Sequence, residues 1–166
     1  MQDGAFVVRL VTLDDAAELH SNCYPMNTPD QIQTLINQSL EQAAAGMGAH
    51  LVAELNGVVV GTVNLELNPH GLKLHRATVT GLVVSQAYTR RGIARMLVQA
   101  CRVEATKLGC TILEISCRAG EPPELIYPKL GFIEYGRLPM GLKESWGAYR
   151  EYDEVMYYMP VLDAEG

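Results

Sequence analysis

Between Arg76 and Cys117 the hydrophobic pattern changes period twice. Residues 78–84 (TVTGLVV) form a β-rich run. After a short loop, Ile93, Met96, Leu97, Ala100, Cys101, Ala105 and Leu108 recur at helical spacing and share one face, and Gly109 follows them. Residues 111–117 then return to a strand pattern. Strand, long helix, strand is a βαβ unit, whose two strands lie parallel and are joined by a right-handed crossover.

The rest of the chain is built around that unit. Thr12 and Asp15 have capping-box spacing before Ala16, Ala17 and Leu19, which predicts a first helix of two or three turns. Thr28-Pro29-Asp30-Gln31 supplies an N-cap, a proline at the first helical position and a glutamine at the box position. Ile32, Leu35, Ile36, Leu40 and Ala43 carry that second helix to a stop at Gly46. His50–Leu55 and Val58–Leu67 flank Asn56-Gly57, the strongest short hairpin signal. With a third strand from Arg76 to Val84 they predict an antiparallel meander. Beyond the βαβ unit, Pro122-Pro123 opens a short helix to Leu130, Phe132 begins a strand, and a last strand runs from Val155 to Val161.

The 166 residues are 48% hydrophobic, contain no repeat or linker, and fit one domain over 1–166. No apolar run reaches the ~18 residues of a membrane helix, and residues 1–10 lack an export signal, so a cytoplasmic protein without a membrane partner is expected. Cys23, Cys101, Cys110 and Cys117 form no CxxC pair and have no histidine at ligand spacing, which points to reduced thiols and no metal site.

Charge is spread unevenly. The net charge is −6, yet residues 67–103 contain no Asp or Glu and carry Lys73, Arg76, Arg90, Arg91, Arg95 and Arg102; that segment is +6 and the remainder −12. An acidic chain is a poor general nucleic-acid binder, whereas a local basic stretch suits a small anionic ligand or a solvated helix face. Three of the arginines gather where strand gives way to helix, beside Gly92-Ile93-Ala94. The first turn of a helix presents unpaired N–H groups and partial positive charge, and small residues at 92 and 94 let an anion reach them. A phosphate or pyrophosphate is the inferred ligand. GxxxxGK[ST] is absent, as is GxGxxG after the first strand, which disfavours P-loop and dinucleotide-binding readings.

Leu82-Val83-Val84, a short loop, then Gly92-Ile93-Ala94 resembles the acyl-coenzyme A motif of the GNAT N-acyltransferases, a strand end followed by [Q/R]-x-x-G-x-[G/A]. The first motif position departs, holding Thr89, with Arg90 one place along. Tyr127-Pro-Lys-Leu-Gly-Phe132 is similar to the family's Y-x-x-x-G-F segment. Together the likenesses cover about residues 50–160. His75-Arg-Ala, Gly120 and Gly136-Arg-Leu-Pro139 further resemble a tabtoxin-resistance-type branch. The resemblance implies an α/β (α+β) fold: a central, mixed, mostly antiparallel twisted sheet flanked by helices, with the βαβ unit as coenzyme-binding core. It implies acetyl-CoA as co-substrate, bound by Leu82, Val83, Val84, Arg90, Arg91, Gly92, Ile93, Ala94 and Arg95. It also implies a homodimer paired through C-terminal strands.

By the same resemblance, an amine attacks the thioester directly and Tyr127 protonates the leaving thiolate. Tyr127 packed under Pro128 is the competing reading. The general base stays open. Thr78 and Ser116 occupy the strand positions where carboxylates are expected, leaving Glu66, His70, His75 and Glu114 as candidates, or an ordered water chain, or an acceptor already neutral. Tyr88 is read as packing the loop. Trp146, Tyr149, Tyr152, Tyr157 and Tyr158 line an acceptor pocket or serve as core and interface. Cys117 lacks the setting of a nucleophile. The expected activity is N-acetyl transfer to a primary amine of a small molecule or peptide. The alternatives are a non-catalytic acyl-CoA sensor, or a longer donor such as succinyl-CoA.

Overall fold

The computed structural model describes residues 4–162; the expected domain of 1–166 extends beyond them at both ends. Seven strands form one sheet: β1 (Phe6–Leu10), β2 (Gly48–Leu55), β3 (Val58–Leu67), β4 (Arg76–Val84), β5 (Ile112–Arg118), β6 (Ile133–Lys143) and β7 (Glu151–Pro160). The spatial order is β1-β2-β3-β4-β5-β7-β6. Every pairing is antiparallel except β4 with β5. Helices α1 (Ala16–Asn22) and α2 (Pro29–Ala44) pack on one face. The crossover helix α3 (Ile93–Lys107) packs on the other, and α4 (Pro123–Lys129) follows β5.

Sequence signals explain the local structure. Thr28 Oγ1 accepts from the Gln31 N–H at 3.2 Å while Gln31 Oε1 accepts from the Thr28 N–H at 2.9 Å, so α2 begins in a complete capping box. Asp15 Oδ2 accepts from the Thr12 N–H at 2.7 Å, and its carboxylate also receives both terminal nitrogens of Arg9. Asn56-Gly57 closes the β2–β3 hairpin as a two-residue turn.

Alternation along the central strands divides the interior into two cores. Leu51, Val63, Leu65, Ala77 and Val79 meet Ile93, Leu97 and Cys101 of α3. Val52 and Val59 meet Leu19, Ile32 and Ile36 of α1 and α2. All four cysteines are buried and free, and desolvation raises their pKa values.

Three elements differ from expectation. β1 was not foreseen; its five residues bury Phe6 and Val8 only partly and leave Val7 and Leu10 exposed, so no clean alternation marks it. β6 is eleven residues long despite Gly136, Pro139 and Gly141, because two register irregularities against β7 absorb them. β7 starts at Glu151 rather than Val155, and it lies between β5 and β6.

Candidate functional site

The parallel pair is short. β4 and β5 are registered only from Arg76–Ile112 to Thr78–Glu114, after which the strands diverge. The last register pair lies beside a clasp: Arg76 Nε donates to Glu114 Oε2 at 2.8 Å, and Tyr135 Oη donates to Glu114 Oε1 at 3.0 Å. These contacts hold the Glu114 carboxyl below its usual range against an opposing desolvation. Beyond the clasp, residues 79–84 of β4 have no partner on the β5 side.

A bulge reshapes β4 at the divergence. Thr62 pairs with Val83 but Asn64 with Thr80, so one extra residue is accommodated on β4 around Gly81. Gly81 takes φ +57°, a left-handed conformation suited to glycine, and Tyr24 Oη donates to its carbonyl at 3.2 Å. Sequence reasoning missed this bulge, although an isolated glycine inside a β-rich run is its ordinary signal.

On the α3 side the divergence opens a cleft of about 1040 Å³. Leu82 and Val84 of β4 line one wall, Gly92, Ile93 and Ala94 the helix end, and Tyr127 the opposite wall from α4. Gly92 is the N-cap of α3 with φ +80°, and a Cβ built there meets nothing within 4 Å. Gly92, Ile93 and Ala94, the start of a fifteen-residue helix whose first-turn amides lack intrahelical partners, thus border the cleft without a side chain at Gly92 to block it. Arg90 and Arg95 line the same cleft, and Arg95 also donates to the Lys129 carbonyl at 2.8 Å, tying α3 to α4.

Two of the expected residues lie elsewhere. The Val83 side chain packs with the α1–α2 core, so only its backbone can serve the cleft. Arg91 stacks over the Tyr88 ring at 5.4 Å and borders a separate hollow with Gly4, Phe6 and Leu55. Thr89, the departing motif residue, lines the cleft while its hydroxyl donates to Gln86 O at 3.2 Å.

Tyr127 is partly buried, its ring edge-on to Tyr157 at 5.7 Å and tilted against Phe132 at 6.0 Å. Desolvation, with a smaller contribution from Cys117, pushes its phenol up to about 12. The hydroxyl thus keeps its proton throughout the neutral range. Of the other aromatics, Tyr157 is core at 1% exposure, whereas Trp146 and Tyr149 are 59% and 60% exposed and border neither cleft.

A second hollow of about 500 Å³ lies on the opposite face, beneath α2. Gly81 belongs to it and Leu82 to the larger cleft, so the two meet back to back at the bulge. Glu66, one of the candidate bases, lines this second hollow, with Asn64 Nδ2 donating to it at 3.0 Å. Glu114 is committed to Arg76 and Tyr135, and Ser116 Oγ donates to Glu154 at 3.0 Å. His70 and His75 are exposed outside both clefts. Among the described residues no group of three His, Cys, Asp or Glu side chains is placed to hold a metal ion, and no helix is long and apolar enough to cross a membrane.

Comparison with solved structures gives the same architecture. A GNAT-family acetyltransferase from Streptococcus pneumoniae superposes with a TM-score of 0.74 at 20% identity, over 94% of this chain and 99% of that one. A ribosomal-protein-alanine N-acetyltransferase from Brucella melitensis gives 0.78 at 20% identity, over 93% and 99%. A phosphinothricin acetyltransferase from Sinorhizobium meliloti, solved with acetyl-CoA, gives 0.76 at 13% identity, over 93% and 88%. No curated protein matches the sequence. The Acetyltransferase (GNAT) family model, however, matches residues 13–132, which take in the β4 bulge, the Gly92 helix end and Tyr127, and the chain belongs to that family.

Proposed function

We propose that the protein transfers an acetyl group from acetyl-CoA to a primary amine of a small molecule or peptide by direct attack. One observation carries this reading: clefts on opposite faces of the sheet meet at Gly81–Leu82, where β4 has lost its β5 partner. A donor and an acceptor can approach that point without crossing. Pyrophosphate would lie against the first-turn amides of α3, at Gly92, Ile93 and Ala94, with Arg90 and Arg95 adding charge. The pantetheine arm would run beside Leu82–Val84, whose backbone edge on the β5 side has no strand partner and can donate to the thioester carbonyl as it becomes an oxyanion.

The neutral amine adds to the carbonyl carbon, a C–N bond forms, and the C–S bond breaks with its electron pair on sulfur. One amine proton is released and the thiolate takes one up, leaving an amide and free coenzyme A. Tyr127 is the proton donor at sulfur. With its phenol near 12, complete transfer to a free thiolate of pKa ~8.5 is uphill by about 5 kcal/mol. Its part is therefore a hydrogen bond that strengthens as the C–S bond breaks and negative charge reaches the sulfur, the net proton taken up by the thiolate being balanced by the one the amine releases.

Tyr127→Phe tests the assignment. A catalyst loses about 100-fold or more in rate while its dissociation constant for acetyl-CoA stays put. An unchanged rate removes Tyr127 from the mechanism. A non-catalytic acyl-CoA sensor, the second reading, is favoured by Thr89 in place of Gln or Arg and would show binding with no transfer by the parent protein.

A further inference from the structure

The hollow beneath α2 has a charge pattern that narrows the acceptor. Its polar lining consists of neutral groups, including Tyr24, Asn27, Gln31, Gln38 and Thr80, and a single carboxylate, Glu66. No lysine or arginine borders it. His50 lies at its floor with both ring nitrogens engaged, Nδ1 to Ser39 at 3.0 Å and Nε2 to Thr62 at 2.9 Å, and is held neutral by burial. Glu66 receives one hydrogen bond, from Asn64, and no ion pair joins it among the described residues. A half-buried carboxylate with no protein cation beside it, in a hollow without basic groups, favours a ligand that brings a positive charge.

Its distance from the reaction point is fixed by strand register. Glu66 pairs with Thr78, three residues before Gly81 on β4. Three residues of strand span about 10 Å, too far for Glu66 to touch the attacking nitrogen. Beyond it lies a further hollow shared with Glu41, so the path leading away from Gly81 meets carboxylates.

We propose that Glu66 is a specificity-determining anchor: it holds the far ammonium of a linear dication whose other amine, about 10 Å away, is acetylated at Gly81–Leu82. The acceptor class is an aliphatic diamine or an equivalent amine bearing a second cationic group. This rests on the acyl-transfer reading.

The test compares 1,8-diaminooctane with 8-amino-1-octanol, which keeps the reacting amine and length but replaces the far charge by a hydroxyl. With acetyl-CoA as donor, kcat/KM for the diamine should exceed that for the amino alcohol by about tenfold or more, mostly through KM. Glu66→Gln should bring the two to parity, and Glu66→Asp should restore part of the preference. An unchanged acetyl-CoA dissociation constant reports that both variants are folded. Equal use of both acceptors by the parent protein, a preference that survives Glu66→Gln, or faster acetylation of an Ala-Ala-Ala peptide than of either would overturn the proposal. Calorimetric titration of both amines into the coenzyme A-saturated protein reads the groove without turnover. If acetyl-CoA neither binds nor releases thiol, the transfer reading fails on its own evidence. The titration of the two amines into the free protein then decides whether Glu66 discriminates the second charge.

Discussion

His50 makes stability depend on pH in a window where few other groups titrate. The ring is 3% exposed, and desolvation lowers its pKa from 6.5 to about 4, against a smaller opposing effect of the Asp15 carboxylate. Ser39 Oγ donates to Leu35 O at 2.9 Å and Thr62 Oγ1 donates to Leu51 O at 3.0 Å, so each ring nitrogen faces a hydroxyl whose own proton is engaged elsewhere, and it is burial that keeps the ring neutral. A second proton would place an unpaired charge inside the core. Below pH 6.5 the unfolded chain binds that proton while the folded chain refuses it until about pH 4, so stability falls as pH falls. From the same two pKa values the loss is about 2 kcal/mol by pH 5 and about 3 kcal/mol by pH 4, relative to pH 8. Asp15 and Glu114, whose folded pKa values lie below their usual 3.8 and 4.5, add their own losses only lower down. Urea unfolding of the parent and of His50→Gln at pH 8, 6, 5 and 4 measures this. The parent should lose stability from pH 6.5 downward, and His50→Gln, less stable at pH 8, should be nearly flat to pH 5. A parent curve flat from pH 8 to pH 5, or a variant with the same slope, refutes the reasoning.

Further expectations concern the cleft and its clasp. Gly92→Ala forces a Cβ residue into φ +80°, costing about 1–2 kcal/mol; Gly92→Asn tolerates that conformation better but fills the space before the helix amides. Thermal unfolding should therefore rank Asn above Ala in stability, while both lose the acetyl-CoA-induced shift. Gly61→Val should be worse for the fold, because a Cβ there already lies 3.1 Å from Ile93 and 3.3 Å from the Val83 carbonyl, and α3 must lift off β3; lower Tm and weaker acetyl-CoA binding should appear together. Arg76→Ala strips the partner from a largely buried Glu114 carboxylate, with side-chain exposures of 29% and 14%; denaturant titration should show a loss of about 1–2 kcal/mol, and Glu114→Gln should recover part of it in the double variant. With Tyr127 near 12, the rate at saturating substrates should show no descending limb between pH 8 and 10, where an ordinary tyrosine acid would begin to lose its proton.

Much of this architecture is legible in the residues because local signals and tertiary packing agree. The capping box at Thr28, the Asn56-Gly57 turn, and the periodicity from Ile93 to Ala105 each specify an element that the fold keeps. Gly92 and Tyr127 are 35 positions apart in sequence, yet the motif likeness pairs them, and the structure brings both into one cleft. What stayed hidden depends on pairing. β1 takes its place through partnership with β2, and β7 enters between β5 and β6, which no periodicity encodes. Arg91 reads as an anion ligand by position, and only the fold shows that it stacks on Tyr88 and borders a separate hollow. Glu66 and Glu114 look equivalent in sequence; only the fold gives one of them an arginine.

Melting temperature with and without saturating acetyl-CoA, with adenosine as control, tests the central claim most directly. At about 100 times its dissociation constant, acetyl-CoA should stabilise the fold by about 2.7 kcal/mol, a rise of several degrees, while adenosine should do little. No shift with acetyl-CoA, or an equal shift with adenosine, would contradict a donor site at the Gly92 helix end.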